Sequence, residues 1–133
     1  MDIEHLRRTI RPLASAEGLH LVVLFGSAAR DAEPARDLDL GLDAGRPLDT
    51  VDLTNRLATL LGRSDVDVAD LRRADPVLLR AVAEDGIPLF EAEPGAFGRF
   101  HSLAVRRFID TRKLREMEHR EIHERLERLG SGR

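Results

Sequence analysis

Apolar residues along this chain switch between a helical and a strand spacing, and each switch marks an element. Ile3, Leu6, Ile10, Leu13 and Ala14 recur at three- and four-residue intervals, predicting an amphipathic helix over residues 2–17 that stops at Gly18. Leu19 to Phe25 is a stretch of strand length, unbroken and apolar from Leu21 onward, whereas Asp37 to Asp43 sets Asp or Gly against Leu in alternation, as a strand with one polar face does. Gly45-Arg46-Pro47 reads as a turn. A helix follows from Asp49, a suitable N-cap, to Leu61, with Gly62 closing it and Val51, Leu53, Leu57, Leu60 and Leu61 available for its buried side. Asp65 to Leu71 alternates again and predicts a third strand. Pro76 suits the first turn of a helix reaching about Asp85, and Ile87 to Glu91 predicts an edge strand, where Pro88 is tolerated. From Pro94 to about Leu129 only Gly98 interrupts a helical pattern longer than globular helices usually run, so part of it should project from the body.

These elements make an α/β chain of one domain, with a core over residues 1–93 and a helical extension over 94–133. At 133 residues, 42% of them hydrophobic, a modest core is within reach. No apolar run is long enough for a membrane span and the charged start MDIEHLRR lacks the apolar centre of a signal peptide, so a cytoplasmic protein without membrane contact is expected. With no cysteine, disulfides, thiolate ligands and a Cys nucleophile are excluded. The net charge of −3 is unevenly spread: residues 1–95 carry 11 Arg and 18 acids, residues 96–133 carry 10 Lys or Arg and 6 acids. An acidic body disfavours direct nucleic-acid binding, and the mixed-sign tail reads as a solvated helix.

The chemistry concentrates between Leu21 and Asp43. With 13 aspartates in the chain a lone D-x-D means little, but here a strand, Gly26-Ser27, a short linker, D-x-D on a second strand and a further D-x-D strand come in order. Gly26 lets backbone N–H groups approach a phosphate, and Ser27 adds a hydroxyl beside a short helical start running to about Asp31. The plainer alternative is a strand-to-helix turn with Ser27 as cap. Asp37 and Asp39 fall on one strand face and can share a cation, magnesium by the hardness of the ligands, while Leu38, Leu40 and Leu42 turn to the core. A third carboxylate would come from Asp65 or Asp67, which the pattern leaves open. Arg30 and Arg36 flank the linker and could clamp phosphate oxygens. His119 and His123 sit one helical turn apart, but H-R-E-I-H lacks the placement of the zinc-protease glutamate, and Arg112 with His119 matches a HEPN ribonuclease spacing without the helical bundle that nuclease needs.

In the order LFGSAAR, RDLDL, VDVADLRRADPVLLRAVAEDGIPLFE, residues 19–91 resemble the minimal nucleotidyltransferase (MNT) antitoxins, small relatives of the DNA polymerase beta nucleotidyltransferase fold. The family pattern of G-S, nine or ten residues, then D-x-D is met by Gly26, Ser27, Asp37 and Asp39 with the shorter spacer, and the family's third carboxylate falls on Asp67. Arg36 stands where the family commonly has Ser. The resemblance implies a mixed sheet flanked by helices, magnesium, ATP as donor, and a HEPN ribonuclease toxin as partner, silenced by AMP transfer to a tyrosine. This chain has no tyrosine, so such an acceptor must belong to another molecule. A steric antitoxin that blocks its toxin without chemistry, or transfer to a small molecule or an RNA end, are the competing expectations. The far half of the tail is expected to bind the partner or a second copy of the chain.

Overall fold

The computed structural model describes residues 1–30 and 37–131. Its elements are α1 (Ile3–Ala16), β1 (Leu21–Phe25), β2 (Leu38–Asp43), α2 (Thr50–Leu61), β3 (Val66–Asp70), α3 (Pro76–Asp85), β4 (Ile87–Glu91) and α4 (Ala96–Ser131). Local chemistry sets the ends: the carboxylates of Asp2, Asp49 and Asp75 accept the first free N–H groups of α1, α2 and α3, and Gly62 closes α2 in the left-handed conformation. Leu19 lies just outside β1, yet it is buried and its N–H donates to the Ala14 carbonyl at the end of α1.

The strands form one mixed sheet in the order β3-β2-β1-β4. β1 is antiparallel to both of its neighbours, whereas β2 and β3 run parallel, joined by α2 as a crossover. β4 is an edge strand that carries Pro88, and Arg7 of α1 donates to the Pro88 carbonyl, covering part of the exposed edge. The apolar run of β1 is buried on both sides because the sheet is sandwiched. Val22, Leu24, Leu38, Leu40 and Leu42 pack under α1 and α2, while Leu21 and Val23 pack under α3 and the first turns of α4.

Two expected core residues of α2 lie outside it: Val51 is 72% exposed and Leu60 43%. Leu53 and Leu57, one turn apart, carry the burial. Val51 precedes Leu53 by two positions and so points to the far side of the helix; Leu60 stands at the rim of a small hollow beside Met1 and Leu6. The long C-terminal helix is present, and beyond its first turns Leu114, Met117, Ile122, Leu126 and Leu129 are exposed. No helix among the described residues is long and apolar enough to cross a membrane.

Candidate active site

Because β1 runs opposite to β2 and β3, the end of β1 and the beginnings of β2 and β3 meet at one end of the sheet. Phe25 is the register partner of Asp39, and Asp39 in turn is the register partner of Asp67. Register partners on neighbouring strands project to the same face, so the Asp39 and Asp67 carboxylates stand side by side on the face opposite Leu38, Leu40, Val66 and Val68. Asp37, at the mouth of β2, is exposed.

Gly26 follows immediately, with φ at +75°. A Cβ there would enter the Asp39 carboxylate, so both the backbone angle and the space demand glycine. Ser27 to Arg30 form a single turn, closed by the Arg30 N–H donating to the Gly26 carbonyl at 3.3 Å; Asp31 and the linker with Arg36 lie outside the described residues. The Ser27 hydroxyl has no protein hydrogen-bond partner among the described residues and is half-buried beside the carboxylates' end of the sheet. Arg30 is drawn sideways, its guanidinium 3.9 Å from Asp85 at the end of α3. Sequence reasoning missed Asp85, because an ion pair between distant segments leaves no local pattern.

The choice between Asp65 and Asp67 acquires a physical basis here. Arg63 grips Asp65 through two hydrogen bonds of 2.7 and 2.6 Å and holds its carboxyl below the usual range, whereas Asp67 is exposed and aligned with Asp39. Asp39 shows the opposite effect: burial first, then the charges of Asp67 and Asp37, push its carboxyl up. Three acidic groups therefore concentrate negative potential on one spot, and an all-oxygen donor set of that kind suits a hard divalent cation. Among the described residues no three such side chains are gathered closely enough to hold a metal ion. Mutual repulsion of carboxylates opposes such gathering, and a cation would reverse it.

Asp70, at the other end of β3, is the buried charge of the described chain, accepting from the Leu48 and Arg72 N–H groups. That is a structural anchor, remote from the D-x-D.

Residues 8–94 match the family model of polymerase beta nucleotidyltransferases. No curated protein matches the chain. Among solved structures, the chain is similar to a toxin-antitoxin complex with AMP-PNP at 25% identity and a TM-score of 0.76, covering 88% of this chain and 98% of that one. It is similar to the toxin-antitoxin MntA-HepT at 25% identity and a TM-score of 0.67, covering 92% of this chain and 97% of that one. A complex of MNT antitoxin with tri-AMPylated Shewanella oneidensis HEPN toxin, 24% identical with a TM-score of 0.74 over 92% of this chain and 99% of that one, shares the fold.

Proposed function

The chain belongs to the polymerase beta nucleotidyltransferase family, and from that premise we propose that it is an MNT-type antitoxin transferring AMP from ATP to a hydroxyl, a tyrosine by preference, of a HEPN-type toxin. The observation that carries this reading is the pairing of Asp39 with Asp67 directly against Gly26, where no side chain fits. The likeness to a toxin-antitoxin bound to AMP-PNP, an ATP analogue, supports both the donor and the partner class.

In this reading Asp37, Asp39 and Asp67 hold magnesium, which when bound neutralises charge on the triphosphate and its leaving group. Gly26 and Ser27 offer backbone N–H groups and a hydroxyl to the phosphates, and Arg30, on the same turn, would join them by leaving Asp85. The acceptor oxygen attacks the α-phosphorus in line, forming the new P–O bond as the bond to pyrophosphate breaks. Asp67, exposed beside Asp39, would take the acceptor's proton. Residues 1–93 then form the catalytic body and residues 94–133 the extension that meets the partner.

Incubation with radiolabelled ATP, magnesium and a HEPN toxin tests the proposal. Label should pass to the toxin, and the Asp39→Asn variant should transfer none. Inhibition of the toxin by the unaltered chain without any label would replace this reading with steric blocking.

A further inference from the structure

A groove of about 1050 Å³ runs between α3 and the middle of α4. Its wall is built on Phe108, whose ring carries two guanidiniums, Arg80 of α3 at 4.2 Å and Arg115 of α4 at 3.9 Å. Arg115 also donates to the Phe108 carbonyl at 2.8 Å, which fixes its direction. The charges do not cancel. Arg80 is matched by Glu84 at 2.8 Å and Arg112 by Glu116 at 3.2 Å, while Arg115 and Arg120 have no carboxylate partner among the described residues. The groove is therefore net positive on a chain of net charge −3.

Its position ties it to the site. Arg80 and Glu84 occupy the last turns of α3, and the next residue, Asp85, is the one paired with Arg30 beside the phosphate turn. Gly86 pins that corner against β1, since a Cβ there would strike the Val82 carbonyl and the Val23 side chain. One end of the groove thus opens next to the proposed nucleotide site and the other runs out along α4.

We propose that this groove docks the acceptor protein and takes a segment of it carrying Asp or Glu side chains around the acceptor hydroxyl. The proposal rests on the transfer reading above. Arg forks receive carboxylates in bidentate fashion, and the exposed Ile109 supplies apolar contact within the same groove. A single-stranded nucleic acid is the rival polyanion, but two guanidiniums at 4.2 and 3.9 Å already occupy the Phe108 ring and compete with a base for it. Glu84 and Glu116 also interrupt the run of cations a phosphate backbone would track.

Fluorescence anisotropy on the full chain, without ATP, can compare three probes: an acidic Glu-Tyr copolymer, a Lys-Tyr copolymer of equal length and a single-stranded oligonucleotide. The acidic copolymer should bind best and weaken with salt. The variant Arg112→Glu/Arg120→Glu, confined to exposed positions, and separately Arg115→Gln, should bind it about tenfold more weakly while AMP-PNP binding is unchanged. Equal binding of the basic copolymer, tighter binding of the oligonucleotide, or acidic binding indifferent to both variants would overturn the proposal. If binding follows the expected pattern yet no AMP reaches a HEPN toxin when ATP and magnesium are added, the groove stands and the transfer reading fails.

Discussion

At the scale of single residues, Asp39 carries the sharpest conflict in the molecule. Its carboxyl is pushed above the ordinary 3.8 by burial and by Asp67 and Asp37. The folded chain therefore keeps that proton to higher pH than the unfolded chain, so this residue's contribution to stability falls as pH rises above 3.8 and stays low at neutral pH. Magnesium should relieve the repulsion, giving a thermal midpoint that rises with added magnesium in the unaltered protein and rises less in Asp39→Asn. In the absence of magnesium that variant should melt no lower than the unaltered chain, within about 0.5 kcal/mol, while AMP transfer is abolished. Calorimetric scans with and without magnesium, set beside the label assay, check both statements; undiminished transfer would remove Asp39 from the site. Gly26→Ala is harsher. A side chain forced to φ +75° costs about 1–2 kcal/mol in backbone strain alone, and its Cβ would displace Asp39. Loss of AMP-PNP binding together with a lowered midpoint is the expected result, read by titration calorimetry and thermal denaturation.

At the scale of elements, local pattern and tertiary placement part company in instructive ways. The alternation around Asp39 was legible because strand periodicity is local: Leu38, Leu40 and Leu42 are wholly buried, as the spacing required. The caps of α2 and the edge position of β4 were legible for the same reason, since Asp49, Gly62 and Pro88 act on their own backbone. In α2 the exposure of Val51 follows from its spacing to Leu53, but that of Leu60 does not, because how much of a helix a sheet covers depends on where the sheet ends. Nor could spacing separate Asp65 from Asp67; that the guanidinium two positions before Asp65 occupies its carboxylate shows only in the fold. The Arg80–Phe108 contact and the Arg30–Asp85 pair join segments distant in sequence, and no periodicity announces them. An element-scale test follows from the crowded face of β2: Leu40→Ala, at a fully buried position against α1 and α2, should cost about 2–5 kcal/mol in denaturant titrations. A cost near zero would mean that the α1 and α2 layer is not what holds β2 in place.

At the scale of the whole molecule, the sandwich and the projecting helix divide the work. The sheet and its two helical layers are built before the middle of α4, whereas Leu114, Met117, Ile122, Leu126 and Leu129 find no cover among the described residues. Removing residues 116–133 should accordingly leave a cooperatively folding body that still binds AMP-PNP and magnesium but no longer associates with its partner. Retained partner affinity in pull-down and sedimentation experiments, or failure of the shortened chain to fold, would refute the docking role of the tail.

The central place of β1 has a further consequence, for aggregation. Leu21 to Phe25 is an uncharged apolar stretch flanked by β2 on one side and by β4 on the other. It is made early in the chain, but the strand that seals its second flank is the last of the four. Until residues 87–91 are in place, an unprotected row of backbone donors and acceptors on LVVLF is open to a like strand from another chain. A chain ended at residue 85 should therefore clump in proportion to its concentration, measured by turbidity and light scattering, and a peptide supplying residues 86–92 should slow that clumping.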